Sequence, residues 1–346
     1  MKKGTVYIII CITLFFACKV DPPIKPVLPV DHIEQVTPPG WPQPVYTFPN
    51  NPLSIEKFSL GRDLFYEEML SSDNTVSCGT CHQNFVAFAN ADHMLSHGVN
   101  GAFGNRNSPG LFNMNWNTSF MWDGGVNHIE VQPLAPITNP VEMNEDINNV
   151  LAKLNASAKY KVLFKQAYGD EQVTTERMLK ALAQFMGMMY SYKSRFDLYK
   201  RGEDGVQLST QELNGYQVFQ QKCNACHKEP LFTDYSFRNN GLSVNSNLQD
   251  SGRAHITGDP NDRYKFKVPT LRNIMLTAPY MHDGRLSSME QVFDHYASGI
   301  VPSATLDTSL QAGIQLSAQE REDIKAFLST LTDYSFINDD RFKDPN

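Results

Sequence analysis

Two pentapeptides in this sequence share one pattern, a pair of cysteines separated by two residues and followed directly by a histidine. They are CGTCH at 78–82 and CNACH at 223–227. C-x-x-C-H is typical of covalent c-type haem attachment, in which two thiols add to the vinyl groups on one edge of a porphyrin. The adjacent histidine can then reach the iron from one face. The residues predicted to attach two haems, with the histidines as proximal ligands, are Cys78, Cys81, His82, Cys223, Cys226 and His227.

Two other uses of paired cysteines compete with this interpretation. A redox C-x-x-C motif does not need a histidine beside it. A zinc site built from both pairs leaves the histidine after each pair unexplained. The other two cysteines, Cys11 and Cys18, lie near the N-terminus, so none is left for a disulfide elsewhere.

Helical segments are predicted to position both pentapeptides. Apolar residues recur at helical spacing over 54–71, before the first pentapeptide, and 208–221 repeats this design before the second. The segment 146–200 is also strongly helical, and the polar, glycine-containing stretch 200–207 indicates a boundary. The predicted fold is all-α, with long loops and two cytochrome c-like haem domains, an N-terminal one over 51–204 and a C-terminal one over 205–346.

Length and composition agree with two globular domains. At roughly 100–200 residues per domain, 346 residues suggest about two. Apolar residues make up 41% of the chain, enough to form substantial cores. The net charge of −7 lacks the basic excess of nucleic-acid-binding proteins, so no nucleic-acid partner is expected.

The first residues are predicted to be a targeting segment. Two lysines precede an apolar run, Thr5 to Ala17, that is too short to span a bilayer comfortably. Cys18 follows in a pattern that resembles a bacterial lipobox, so 1–18 is predicted to be a lipoprotein-type signal peptide with a lipid anchor at Cys18. Ordinary secretion with cleavage nearby is the alternative, and either route implies a periplasmic or cell-envelope location. Residues 19–50 are predicted to be a Pro-rich tether and N-terminal extension.

The segments after the two pentapeptides differ from each other and carry a resemblance to a known family. They contain, in order, WDGG at 122–125, NPVEM at 139–143, FTD at 232–234, VPTLRN at 268–273 and PYMHDG at 279–284. With both pentapeptides, this order resembles the bacterial di-haem cytochrome c peroxidase family, which includes the MauG-type enzymes. The resemblance covers about residues 50–335 and implies two covalently bound c-type haems with different roles.

For the first haem, the resemblance implies a peroxide-cleaving site. Peroxide cleavage needs an open iron position and a nearby acid–base group. By their match to the family motif, Glu142 would move the proton and Gln132 would hydrogen-bond the peroxide. Trp122 matches a tryptophan that lies between the haems and mediates electron transfer. His97 matches a histidine that ligates the first haem at rest and later leaves it. His93 lies only four residues away, and the alternative is an exposed loop histidine beside a permanently open haem.

For the second haem, the resemblance leaves the sixth iron ligand open. A methionine usually fills this position in peroxidases that use cytochrome c, and it raises the reduction potential. Tyr296 stands at the matching position, as a tyrosine does in the MauG-type branch. Met281 is the rival ligand, and a haem that takes neither side chain is the third alternative.

The resemblance also implies a calcium ion between the domains. Asn107 would bind it through its side chain, and Thr277 and Pro279 would bind it through backbone carbonyls. Oxygen donors suit this hard cation. Homodimers are frequent in the family, and this assembly is therefore open to the chain.

The function predicted from these residues is a di-haem peroxidase. It would reduce hydrogen peroxide to water with electrons from a small donor such as cytochrome c, which enter at the C-terminal haem. Peroxide would be cleaved at the N-terminal haem. The first alternative is a MauG-type oxidase that acts on a partner protein through a high-valent di-haem state. The second is a di-haem electron carrier without enzymatic activity.

Overall fold

A computed structural model describes Met1, residues 32–91 and residues 93–345. The predicted signal peptide, the lipid anchor at Cys18 and the first part of the tether lie outside the described residues. Within the described ranges, no helix is long and apolar enough to cross a membrane.

The described chain is mostly helical, as the sequence predicted, and its only sheet there has two short antiparallel strands. The strands are β1 (Phe237–Arg238) and β2 (Phe266–Lys267). A π-helical turn, His295–Gly299, continues the tenth helix. The helices are α1 (Ile55–Phe65), α2 (Cys78–Cys81), α3 (Leu134–Thr138), α4 (Ile147–Ala156), α5 (Ala158–Tyr168), α6 (Thr175–Gly187), α7 (Arg195–Arg201), α8 (Thr210–Lys222), α9 (Ala254–Thr257), α10 (Met289–Asp294), α11 (Ala318–Ser329) and α12 (Tyr334–Ile337).

Two helix pairs form the frame around the pentapeptides. Helix α1 packs on α6, and α8 packs on α11. Each pair crosses at a glycine, because a Cβ at Gly61 would lie 2.0 Å from the Ala181 carbonyl oxygen and one at Gly215 would lie 1.9 Å from the Asp323 carbonyl oxygen. Only a residue without a side chain permits this approach. The helix before each pentapeptide is therefore held in the same way.

Buried apolar side chains form two main clusters. One surrounds α1 and α4–α6, and the other surrounds α7, α8, α10 and α11. Phe196 on α7 packs in the second cluster, whereas Phe336 and Phe342 near the C-terminus return to the first. The chain therefore crosses between the clusters more than once.

A third, smaller cluster joins the N-terminal segment to the second half of the chain. Trp41 lies in the segment predicted as an extension, and its ring contacts that of Trp116 at 5.0 Å. The guanidinium of Arg272 lies 4.6 Å from the Trp41 ring centre. Arg272 is 1% exposed and forms a bidentate ion pair with Asp197 at 2.7 and 2.8 Å. Residues before α1 are therefore part of the folded core.

Two turns that follow the pentapeptides are copies of one another. We call residues 120–126 the Trp122 turn and residues 280–286 the His282 turn. In each, the N–H of the first residue donates to the carbonyl of the last, at 2.7 and 2.6 Å. The second residue of each is a methionine with positive φ, 65° and 75°. The sequence offset is constant at 160 residues, from Pro109 and Pro269 to Gly124 and Gly284.

Candidate active site

Both pentapeptides open onto one cavity of about 770 Å³. The four cysteines of the pentapeptides form no disulfide and line this cavity, together with both histidines. The same cavity is lined by every other residue that the sequence assigned to a site, namely His97, Asn107, Trp122, Gln132, Glu142, Thr277, Pro279, Met281 and Tyr296. A large cavity with a pair of thiols and a histidine at each end fits two covalently attached haems.

The two pentapeptide histidines are oriented for metal binding through Nε2. The Nδ1 of His82 lies 2.8 Å from the Phe88 carbonyl, and that of His227 lies 3.1 Å from the Pro269 carbonyl. A carbonyl only accepts, so Nδ1 carries the proton and Nε2 keeps its lone pair. Burial lowers the pKa of both imidazoles, against the opposing effect of these hydrogen bonds. Both rings are therefore held neutral, the form that ligates a metal.

On the side of the first pentapeptide, the structure brings Glu142 and Gln132 to the cavity. A carboxylate oxygen of Glu142 accepts from Asn139 Nδ2 at 3.0 Å. Burial raises the pKa of Glu142, and the hydrogen bond from Asn139 opposes this rise. Among the described residues, Glu142 forms no ion pair. Such a carboxyl can bind and release a proton nearer to neutral pH than an exposed glutamate does.

His97 lies at the edge of the same cavity, where its side chain is exposed. Its ring contacts those of His93 and Phe103, each with centres 4.5 Å apart. The backbone carbonyl of His97 accepts from the Cys81 thiol at 3.7 Å. The loop that carries His97 therefore touches the first attachment site directly.

Trp122 lies in the cavity wall that both pentapeptides share. Its indole Nε1 donates to the Asn107 carbonyl at 2.8 Å. Its own carbonyl accepts from the Lys267 backbone N–H at 2.7 Å. Asp123, the next residue, pairs with Arg106 at 2.5 Å, and Arg106 also pairs with Asp250 at 2.6 Å. The indole is therefore held by one hydrogen bond, and the backbone that carries it is held by the Lys267 bond and the ion pair of Asp123.

On the side of the second pentapeptide, one side chain contacts both candidate sixth ligands. The Nδ2 of Asn240 donates to the Met281 sulfur at 3.3 Å, and its side chain also hydrogen-bonds Tyr296. Burial raises the pKa of Tyr296 to about 12, and the bond from Asn240 opposes the rise. The π-helical turn carries Tyr296, and His295 beside it bonds the Asn240 carbonyl at 3.1 Å. The amide therefore occupies the Met281 sulfur, and at Tyr296 it only partly offsets the effect of burial, which favours the neutral phenol.

The three predicted calcium ligands all line this cavity. Asn107 Nδ2 donates to the carbonyls of His93 and Met94, at 3.3 and 3.1 Å, which leaves its Oδ1 as the available donor atom. Thr277 and Pro279 line the same cavity. Within residues 32–91 and 93–345, no cluster of three His, Cys, Asp or Glu side chains could hold a metal. An ion here would depend on neutral oxygens, which calcium accepts.

Sequence reasoning assigned no site role to His282 and Phe266, which line the same cavity as Trp122. His282 stacks on Phe266, with ring centres 3.8 Å apart and planes at 12°. The backbone N–H of Asn107 donates to the His282 carbonyl at 2.8 Å. The constant offset of 160 residues would have identified His282 as the counterpart of Trp122, since both are followed by Asp-Gly.

Comparisons with known proteins agree with the family resemblance of the sequence. A family model described as di-haem cytochrome c peroxidase matches residues 55–205. A methylamine utilization protein MauG from Methylorubrum extorquens is 36% identical over 288 residues, 81% of this chain and 79% of the relative. A cytochrome c551 peroxidase from Nitrosomonas europaea is 32% identical over 286 residues, 81% of each. The crystal structure of a MauG-like protein associated with microbial copper homeostasis is 34% identical, with a TM-score of 0.82 over 91% of this chain and 99% of that one.

Proposed function

This chain belongs to the di-haem cytochrome c peroxidase family of oxidoreductases, and we propose that it reduces hydrogen peroxide with electrons from a small donor such as a cytochrome c. One peroxide, two electrons and two protons would give two waters. The observation that carries the proposal is Glu142, a half-buried carboxyl in the cavity of the first pentapeptide that has no cationic partner among the described residues. The non-enzymatic electron carrier has no use for such a group.

The roles of the protein side chains follow from their positions. Haem groups held by the two pentapeptides would supply iron coordination for peroxide and the redox equivalents. Glu142 would take the proton from the peroxide oxygen that binds and return it to the oxygen that leaves. Gln132, whose amide lies 3.9 Å from the Met121 sulfur, would donate a hydrogen bond to the peroxide. Trp122 would carry electrons across the wall between the two sites.

The second candidate function is a MauG-type oxidation of a partner protein. Tyr296 favours it, because Asn240 supports the phenol oxygen while it occupies the Met281 sulfur. Relatives with both kinds of name match this chain at similar identity. Tyr296→Phe should change the optical and paramagnetic spectra of the second haem, whereas Met281→Leu should leave them unchanged. The opposite pattern would identify Met281 as the sixth ligand. Unchanged spectra in both variants would exclude both Tyr296 and Met281 as ligands of the second haem.

Turnover with a reduced cytochrome c separates the two functions. The oxidised holoprotein is mixed with peroxide and a reduced small cytochrome, and oxidation of the cytochrome is followed optically. Two cytochromes oxidised per peroxide consumed supports the peroxidase. A protein that consumes peroxide but leaves the reduced cytochrome untouched would support the MauG-type reaction instead.

The remaining proposals concern partners and location. Asn107, Thr277 and Pro279 would hold calcium, and a loss of bound calcium on treatment with a chelator would lower the melting temperature. His97 would ligate the first haem at rest, so His97→Gln should give a five-coordinate spectrum in the oxidised protein. The protein would act in the periplasm or cell envelope. A lipid anchor at Cys18 can be checked by lipid labelling, and homodimerisation can be checked by sedimentation.

A further inference from the structure

The contact between residues 107–126 and 267–286, here called the seam, is reciprocal. The Asn107 N–H donates to the His282 carbonyl at 2.8 Å, and the Lys267 N–H donates to the Trp122 carbonyl at 2.7 Å. Residues 107 and 267 differ by the same 160 positions as 122 and 282. The two bonds are therefore one interaction made once in each direction, which is the pattern of an isologous contact.

The offset of 160 residues gives each residue of the proposed calcium site a counterpart in the other half of the seam. Asn107 corresponds to Lys267, and the carbonyls of Thr277 and Pro279 correspond to those of Asn117 and Ser119. Only one of these three pairs differs in side-chain charge, because Lys267 stands where the calcium site has Asn107. The Lys267 ammonium donates to the Ser119 carbonyl at 2.6 Å. It therefore sits on the oxygen that corresponds to the Pro279 carbonyl.

The surroundings of Lys267 are unusual for a lysine. It lines the cavity, and no carboxylate within the described residues forms an ion pair with it. Burial lowers its pKa to about 8, with a smaller opposing effect from Asp123. The hydroxyl of Ser119 is also buried without a hydrogen-bond partner. A half-buried ammonium costs stability unless nearby oxygens compensate it, and the Ser119 carbonyl is the oxygen that does so here.

We propose that Lys267 is a built-in cation that does for the Trp122 turn what the calcium ion does for the His282 turn. Its ammonium holds the Ser119 carbonyl while its backbone N–H holds the Trp122 carbonyl. The turn that carries the electron relay is thereby fixed without any exchangeable ion. The role given to calcium at the His282 turn rests on the proposed function. The role given to Lys267 at the Trp122 turn rests on the hydrogen bonds of the seam.

Exchanging the two side chains tests the proposal. Calcium chloride is titrated into chelator-treated holoprotein, and the number of ions bound per chain is measured by calorimetry. Lys267→Asn recreates the Asn107 arrangement and should bind one more calcium than the wild type. Asn107→Lys places an ammonium in the proposed calcium site and should bind one calcium ion fewer than the wild type. Lys265→Asn is the matched control two residues before Lys267, and it should bind the wild-type number of ions.

The outcomes distinguish the role of Lys267 from the calcium proposal at Asn107. Lys267→Asn protein that binds the wild-type number of ions refutes the role of Lys267. Wild-type protein that binds none refutes the calcium proposal at Asn107, and a gain of one ion in Lys267→Asn would then still support the role of Lys267. If Lys267→Asn does not fold, Asn107→Lys decides, because retention of the wild-type number there contradicts the equivalence of the two positions.

Discussion

Replacing Glu142 with glutamine removes the acid–base group and little else. The side chain keeps its size, and its amide oxygen can still accept from Asn139 Nδ2 as the carboxylate does at 3.0 Å. Positioned proton transfer contributes about 10²–10⁴-fold to a rate. At about 1.4 kcal/mol for each tenfold, the barrier should rise by roughly 3–5 kcal/mol. We expect kcat and kcat/KM for peroxide to fall together by this factor, because the interaction is made only in the transition state.

Stability should not follow the fall in activity. Since burial raises the pKa of Glu142, folding favours its protonated form. The ionised carboxyl therefore costs folding free energy in full above that raised pKa. The cost shrinks as the pH falls below it and is gone only below the ordinary pKa of a glutamate in the unfolded chain. E142Q should consequently be at least as stable as the wild type at neutral pH. Chemical unfolding and haem content, measured beside turnover, check this expectation.

Glu145→Gln is the matched control three residues away. Glu145 accepts from Asn149 at 3.1 Å and pairs with Lys153 at 2.5 Å. Its replacement should cost about 1.5–3 kcal/mol of stability, the usual value for a hydrogen bond to a charged group. Peroxide turnover should stay unchanged. Wild-type kcat/KM in E142Q, or an equal loss in E145Q, would refute the proton-transfer role of Glu142.

Three further changes test other parts of the molecule. Trp122→Phe should slow electron delivery in rapid-mixing experiments without loss of haem, whereas Trp116→Phe, in the third apolar cluster, should not. Asn139→Leu removes the hydrogen bond that lowers the pKa of Glu142, so the acid limb of the pH–rate profile should move to higher pH. Arg272→Met leaves its buried carboxylate partner unpaired and should cost about 3–5 kcal/mol in urea unfolding. An unmoved acid limb in Asn139→Leu would contradict the effect of Asn139 on the Glu142 pKa. A loss of unfolding free energy below about 1 kcal/mol in Arg272→Met would contradict the role of the buried ion pair.

The sequence predicted those features that depend on short spacing. Two thiols and a histidine within five residues determine an attachment site by covalent geometry alone, and the helices before them follow from apolar periodicity. Family membership is confirmed by relatives over most of the chain. Glu142 and Gln132 came to attention through their match to a family motif, which the sequence has at 132–143.

Long-range contacts could not be predicted from spacing. Asn240 lies 41 residues from Met281, and its amide bonds that sulfur. Nothing in the local sequence around Asn240 distinguishes it from a turn residue, because asparagine is common in turns. The buried pair of Arg272 and Asp197 likewise joins segments 75 residues apart. Such pairings depend on how the helices pack, and packing is decided by the whole chain.

The repeat gives the two similar attachment sites different side chains at matching positions. At equal offsets, the two halves keep the same turn, the same positive-φ methionine and the same reciprocal backbone bond across the seam. They differ where chemistry is needed, with Trp122 opposite His282 and Lys267 opposite Asn107. A duplicated frame fixes backbone positions, so a substitution at one of these points changes the local charge or redox chemistry without disturbing the fold. The direction of electron flow would then be set by these few unequal positions, and exchanging them in pairs is the most direct way to alter it.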